Sequence, residues 1–451
     1  MAIDFTLTRQ QRELQLDSRR FASDVLAGAR DAESLPTAEE RFLATKPAYE
    51  AMVAAGFLRK CIPAPAGGEG AGLVDMAIMA EELYSVNASV TLTMLGTVLG
   101  ILPILLGGTP DQCGRLLAPF LRKSGAPLAG FCSSEPGGSA NAASPPPGEG
   151  VRTTAKLEGD SWVINGRKKW VSSATGWDRK GADVLCVVCR TNPDAPPDKA
   201  ISIIAVERPT PGIVFERAID SIGHRAHLTP QFGFKDVAAP RHNLLGQEGS
   251  GLALTAASFT GTAALVGIFG VALMRAAFEF ALHFARTERR GGVHPIIEHQ
   301  AVGYALADAK TTIEAARYLS WRACHAVDSQ SPAGDELAIQ AKIYGSEAAV
   351  RVITDLMRVV GIDSYDHEIP LGRLLQDALA LPIFDGGNMG VRRRQLHTML
   401  KRSDYAPLLA SGRPERPKLP CRIVSSRLDV PFRSAGCIGN IVDRWVIYEQ
   451  S

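Results

Sequence analysis

The sequence predicts an α+β protein in three parts. A helical N-terminal domain covers 1–125, a middle β domain of barrel or sandwich type covers 126–245, and a C-terminal four-helix bundle covers 246–410; a tail at 411–451 follows. Three observations carry this reading. Helix-period apolar spacing fills the first region. Short alternating segments punctuated by glycine turns begin near residue 126. Long amphipathic stretches with short connections return after residue 250, as an antiparallel bundle requires.

In the first region, LTRQQRELQLDSRRFASDVL spaces its apolar residues by three and four, and Thr8 is placed to cap the helix. The run LTMLGTVLGILPILLGG (92–108) is broken by glycines and Pro103 and is short for a membrane span, so a buried helix is expected. In the second, TTAKLEGDSWVINGRKKWVSSA offers hairpin turns at Glu158-Gly159-Asp160 and Asn165-Gly166. ADVLCVVCR, AISIIAVER and PQFGFKDVAAP continue as strands of a mostly antiparallel unit. The bundle helices are LALTAASFTGTAALVGIFGVALMRAAFEFALHFARTE, IIEHQAVGYALADAKTTIEAARYLSWRACHAV, ELAIQAKIYGSEAAVRVITDLMRVV and one that starts after Asp385. The tail from SGRPERPKLP onward is rich in proline, arginine and serine and reads as a surface or partly disordered segment.

Bulk composition narrows the partners. Forty-nine basic residues against 47 acidic give a formal charge of +2, which argues against nucleic acid and an anionic membrane and favours a small organic molecule. Eight cysteines are scattered through a chain that opens MAIDFTLTRQQ without a signal-peptide pattern, so free thiols in a reducing, cytoplasmic setting are expected. Cys186 and Cys189 form one CxxC inside an apolar strand, and the histidines lack ligand spacing, so no metal site is expected. His294 and His299 read as loop and helix-start residues, and no nucleophile-elbow GxSxG, GxGxxG or Walker pattern occurs.

The stretch FDGGNMGVRRRQ (384–395) carries the chemistry. Its plainest reading is a helix start, with Asp385 or Asn388 as cap and Gly386-Gly387 as the turn. A second reading uses the carboxylate. Taking a proton from carbon beside an electron-withdrawing group needs a carboxylate held close and kept dry. The glycines let backbone and ligand approach closely. A helix beginning near Asn388 puts Arg392 one turn in, and side chains tilt toward a helix N-terminus, so its guanidinium can reach back to Asp385 or to an anionic substrate group. Arg393 and Arg394 then point elsewhere and read as solvated or inter-subunit ion-pair residues.

Five segments in order resemble the acyl-CoA dehydrogenase superfamily of flavoproteins, over roughly 5–405. CSSEPGGSAN resembles its Thr-Glu-Pro loop, and INGRKKWVSSATGWDRKGADV its Trp-x-Thr region. SIGHRAHLTPQFGFKDV resembles the strand before the link to the bundle, and PRHNLLGQEGSGLAL that link. IPLGRLLQDALALPIFDGG resembles the segment that ends at the catalytic carboxylate. The superfamily usually has glutamate where this chain has Asp385. Aspartate there, with arginine seven residues on, is similar to the nitroalkane oxidase branch, as is TERRGGVHPIIEHQAV.

The resemblance implies FAD as cofactor, a homotetramer, and oxygen as electron acceptor. It implies Asp385, Arg392 and Thr262 as catalytic residues, Thr262 through a hydrogen bond to Asp385; read alone, Thr262 is equally a helix threonine bonding its own backbone. It implies Ser134, Ser139, Trp170, Ser172, Arg290 and Gln300 as FAD-binding residues, with Ser172 donating toward flavin N5; spacing from Gln300 also allows Arg289. The loop VVGIDSY has one glycine where the superfamily has three. The implied reaction is oxidation of a nitroalkane to an aldehyde or ketone, nitrite and hydrogen peroxide. The rivals are α,β-dehydrogenation of an acyl thioester, a flavin-dependent N-oxygenase of the same fold, and an inactive scaffold, against which Asp385, Arg392, Ser172 and Thr262 stand together.

Overall fold

The structure, a computed structural model, describes residues 6–144 and 147–407. The tail expected over 411–451 lies outside them.

Helices open the chain: α1 (Arg9–Phe21), α2 (Ala38–Ala44), α3 (Lys46–Ala54), α4 (Phe57–Lys60), α5 (Leu73–Val86), α6 (Ala88–Gly107) and α7 (Pro110–Leu116). Thr8 does cap α1: its hydroxyl accepts from the Gln11 N–H at 3.2 Å while the Gln11 side chain accepts from the Thr8 N–H at 3.0 Å. The glycine-broken apolar run is α6, capped by Asn87, and it packs between the first strand and the bundle. Among the described residues two helices, Ala88–Gly107 and Gly251–Thr287, are long and apolar enough to cross a membrane, yet 67% of the most apolar window of each is buried inside the protein. Their apolar surface is spent on the core.

Eight strands form one sheet: β1 (Ala129–Cys132), β2 (Thr154–Glu158), β3 (Ser161–Lys169), β4 (Val184–Arg190), β5 (Ile201–Glu207), β6 (Ile213–Ala218), β7 (Pro230–Pro240) and β8 (Leu244–Leu245). The order is β6-β7-β3-β2-β4-β5-β8, with β1 beside β4. Pairing is antiparallel except at β1–β4 and β2–β4. The CxxC cysteines lie in β4, a strand buried along nearly its whole length.

Two expectations need correction here. The turn at Gly159-Asp160 joins β2 to β3, but Asn165-Gly166 makes no hairpin: β3 runs through it with a bulge against β7. The Asn165 amide exchanges hydrogen bonds with Asp236 across that bulge, at 3.0 and 2.9 Å, so the chain kinks and continues. The segment SIGHRAHLTPQFGFKDV is strand only from Pro230; before it the chain loops, with Leu228 accepting from the Ser173 N–H at 2.8 Å.

The C-terminal region holds α8 (Gly251–Thr287), α9 (Gln300–Asp328), α10 (Gly334–Val360), α11 (Pro370–Ala380) and α12 (Arg393–Leu400). The first three pack along one another, and α11 closes against α8 and α10. The fourth bundle helix is therefore α11, opened by Pro370 at its first position, and not the helix after Asp385, which is the short α12.

Candidate active site

A cavity of about 1280 Å³ lies where the three regions meet, walled by α6, by the loops after β1 and β3, by α8 and by the segment 383–395. Its lining is mostly aliphatic and aromatic, including Leu95, Leu99, Phe131 and Phe259. Such a concave apolar wall with a few converging polar groups suits an organic ligand.

Asp385 is one of those polar groups. Its side chain is 3% exposed, and the Arg392 side chain beside it 1%. Thr262 Oγ1 donates to Asp385 Oδ1 at 2.8 Å, and Arg392 Nη2 donates to Oδ2 at 3.1 Å. Arg392 also holds the backbone of the turn. Nε and Nη2 reach the Asp385 carbonyl at 3.1 and 2.8 Å, and Nη2 reaches the Phe259 carbonyl on α8 at 3.0 Å. A planar fork can serve carboxylate and carbonyls together where an ammonium could not.

Asp385 has φ 54° and Gly386 φ 68°. Aspartate is one of the few residues that enters this left-handed region readily, and the geometry turns the chain so that the carboxylate faces the cavity. The residues Asn388–Arg392 then form a π-helical turn leading into α12. Such turns concentrate at functional sites because the extra residue redirects a side chain.

Neither Asp385 nor Asn388 caps this helix, contrary to the simplest sequence reading; Gly387 stands at the cap position without a side-chain bond. Asn388 is buried instead. Its amide donates to Ser346 at 3.0 Å and Glu347 at 3.1 Å, and its oxygen accepts from Lys342 Nζ at 3.0 Å. Burial pushes the Lys342 ammonium down to about 8 although Asp385 nearby draws it up. Arg393 pairs with Glu347 as expected, but Arg394 lines the cavity and binds Asn141 and the Ala140 carbonyl.

The loops supply the other expected residues. Ser134, Ser139, Trp170 and Ser172 all line the cavity. The loop carrying Ser134 is pinned by Glu135, which accepts from the Arg152 and Thr153 N–H groups, each at 2.9 Å, and from Lys168 Nζ at 2.9 Å. Burial works to raise the Glu135 carboxyl, but Lys168 and these donors overcome it and hold it below the ordinary range. Trp170 has φ 65° and is 52% exposed, its ring open to the cavity. Ser172 sits so close to α6 that a Cβ at Gly96 would meet its Cβ at 2.7 Å.

Arg290 and Gln300 are not brought to the cavity. Arg290 donates to the Val360 carbonyl and pairs with Asp363 at 3.0 Å, Gln300 bonds Tyr304, and Arg289 bonds the Val293 carbonyl at 2.8 Å. Two cavity residues were missed in the sequence, His224 and His227. Burial depresses both, to about 4 and about 3, so both rings are neutral near pH 7. The His224 ring bonds the Tyr84 hydroxyl through Nε2, and the His224 backbone N–H donates to Asp377. Two histidines three apart in GHRAHL, just ahead of a strand, were the available signal.

Comparison with known proteins gives one consistent result. Family models match 8–124 (acyl-CoA dehydrogenase, N-terminal domain), 130–237 (middle domain) and 249–400 (C-terminal domain). The chain is 42% identical over 421 residues to a nitroalkane oxidase of Podospora anserina, covering 90% of this chain and 97% of the relative. It is 37% identical to one of Fusarium oxysporum, covering 91% and 97%. It is 32% identical to the mitochondrial short-chain specific acyl-CoA dehydrogenase of Bos taurus, covering 77% and 80%. The solved Podospora anserina nitroalkane oxidase superimposes with a TM-score of 0.87 at 41% identity, over 91% of this chain and all of that one. A nitroalkane oxidase mutant crystallised with 1-nitrohexane gives 0.88 at 36%, over 91% and 99%.

Proposed function

The chain belongs to the acyl-CoA dehydrogenase family, and we propose that it is a flavin-dependent oxidase of nitroalkanes in which Asp385 removes the substrate proton. The observation that carries this is the dry Asp385 carboxylate, held by Thr262 on one oxygen and Arg392 on the other, at the edge of an apolar cavity.

The residues fit FAD. The Ser134 and Ser139 hydroxyls line the cavity and make no hydrogen bond within the described residues, and the Trp170 ring stands half-open beside them. A flat heteroaromatic ring with polar edges can stack against the indole and meet both hydroxyls. When bound, the flavin supplies the electron acceptor. Ser172 would face it from the α6 side, and Ser134 and Ser139 would meet its polar edge.

Asp385 takes one proton from the carbon bearing the nitro group, leaving a nitronate anion and a neutral carboxyl. Thr262 and Arg392 aim the carboxylate before that transfer, and the guanidinium balances the anion after it. The apolar wall excludes water that would otherwise stabilise the resting carboxylate. Overall, nitroalkane, oxygen and water give aldehyde, nitrous acid and hydrogen peroxide, which balances.

We propose a homotetramer on one supporting observation. Arg290, Val293, Ile362 and Tyr365 cluster outside the cavity with the last three largely exposed, as an interface completing a neighbour's cofactor site would be. A cytoplasmic setting is proposed from the six unpaired cysteines among the described residues.

The test is purified protein with nitroethane. Under nitrogen its yellow colour bleaches; under air, oxygen is consumed and nitrite released. Absence of nitrite across the neutral and mildly alkaline range, with bleaching by an acyl thioester, would move the assignment to α,β-dehydrogenation.

A further inference from the structure

His227 lies in the cavity wall behind Ser172, buried to 3% exposure, and nothing in the proton-transfer scheme uses it. Its Nε2 is 3.1 Å from Ser172 Oγ and its Nδ1 is 2.9 Å from Thr93 Oγ1 on α6. We propose that His227 is a positioning residue that fixes the Ser172 hydroxyl as a hydrogen-bond donor into the cavity. The inference rests on the flavin reading above.

The argument is proton counting along three side chains. A serine hydroxyl has one proton. If Nε2 accepted it, Ser172 would face the cavity with lone pairs only. If Nε2 carries the ring proton, Ser172 accepts there and keeps its own proton for the cavity. Thr93 decides between these, because its hydroxyl also has one proton and two acceptors in reach.

One acceptor is Nδ1 at 2.9 Å; the other is the Ser89 carbonyl at 3.1 Å. That carbonyl is one helical turn back in α6 and takes the Thr93 backbone N–H in the helix ladder. The imidazole nitrogen is the nearer of the two, and the Ser89 carbonyl already has a donor. Thr93 therefore donates to Nδ1, the ring proton sits on Nε2, and Nε2–H donates to Ser172. Burial keeps the ring neutral, which this arrangement requires.

The close approach of α6 to Ser172 at Gly96 and the hydrogen bond from Ser173 N–H to the Leu228 carbonyl hold the partners in register. A hydroxyl oriented in this way stabilises negative charge arriving on the flavin ring, which raises its reduction potential.

The experiment measures the flavin midpoint potential of holoenzyme for wild type, Ser172→Ala, His227→Leu, His227→Gln and the Ser172→Ala/His227→Leu pair, with flavin content and circular dichroism as folding checks. Ser172→Ala and His227→Leu both shift the potential negative. The double variant shifts no further than Ser172→Ala, because the two act through one bond. His227→Gln, which can place an N–H near Nε2, recovers most of the shift.

A positive shift in His227→Leu would mean that Ser172 had been donating to the ring, and would overturn the proposal. So would an unchanged potential, or a double variant equal to the sum of the singles. Should His227→Leu fail to fold, a His227→Gln enzyme with a potential as low as that of Ser172→Ala overturns it. Protein that takes up no flavin overturns the flavin reading and this inference together, whereas flavin bound at an unmoved potential overturns this inference alone.

Discussion

Asp385 and Arg392 stand seven residues apart in sequence and 3.1 Å apart in space, and the guanidinium binds the same residue twice, at its carboxylate and at its own carbonyl. One cation therefore fixes both where the base is and which way its backbone turns. Replacing Asp385 by Asn keeps the shape and removes the proton acceptor. We expect the rate with neutral nitroethane to fall by roughly 10²–10⁴-fold, the usual worth of a general base. FAD stays bound, and a nitronate supplied already deprotonated still bleaches it. Stopped-flow absorbance separates the two substrates, and a variant near full rate on the neutral one would mean that the base lies elsewhere.

Arg392→Lys tests the fork. An ammonium can meet the carboxylate but cannot also span the Asp385 and Phe259 carbonyls that Nη2 reaches. Asp385 should drift, and misplacement of a catalytic group on the ångström scale costs about a hundredfold. The expected outcome is a loss of that order in kcat/KM, with a lowered melting temperature because the side chain is buried.

Thr262→Ala removes the donor to Oδ1. A hydrogen bond to a charged group is worth about 1.5–3 kcal/mol, so proton abstraction should slow by roughly 10- to 150-fold. Thr262→Ser should restore it. The rate of anaerobic bleaching with nitroethane is the measurement.

How much of this was legible in the sequence follows the range of the signals. Local chemistry was readable: the Thr8 cap, the buried α6, the turn at Gly159-Asp160 and the Asp385–Arg392 spacing. Where a side chain takes a distant partner, local rules misled. Asn165-Gly166 has a hairpin's composition, but Asp236 on β7 captures the asparagine. Asn388 has a cap's composition, but Lys342, Ser346 and Glu347, over forty residues earlier, bury it. His227 carries no ligand or nucleophile spacing, and its role depends on Thr93, brought beside it only by the packed α6. Arg290 and Gln300 matched the family by position and lie outside this chain's own cavity lining.

Asp377 gives a pH prediction. Burial raises its carboxyl from 3.8 to about 6, against the pull of the His224 N–H, Arg373 and Arg30. The unfolded chain ionises this group first as pH rises, so the folded state loses stability between about pH 4 and 6 on this account and carries the full cost above. The shift corresponds to about 3 kcal/mol. His224 has the opposite sign: held down at about 4, it costs stability as pH falls below the ordinary histidine range. Asp377→Asn should therefore raise the melting temperature at pH 8, change it little near pH 4, and leave a steeper acid loss between. Calorimetry at the two pH values checks this.

Lys168 and Glu135 form a buried pair, with Lys168 Nζ also donating to the Val188 carbonyl at 2.8 Å. Lys168→Met leaves Glu135 unpaired in the interior, and breaking such a pair costs about 3–5 kcal/mol. Urea unfolding should show that loss. Flavin affinity should weaken with it, because Glu135 anchors the loop that carries Ser134; adding Glu135→Gln should recover part of both.

The backbone at Asp385 sets a condition on what can stand there. A left-handed residue followed by a left-handed glycine accepts aspartate easily and a longer carboxylic acid less so. Exchange between this aspartate and the glutamate usual elsewhere in the superfamily is thus more than one methylene. Asp385→Glu in this chain therefore alters the backbone preference of the turn as well as the reach of the acid.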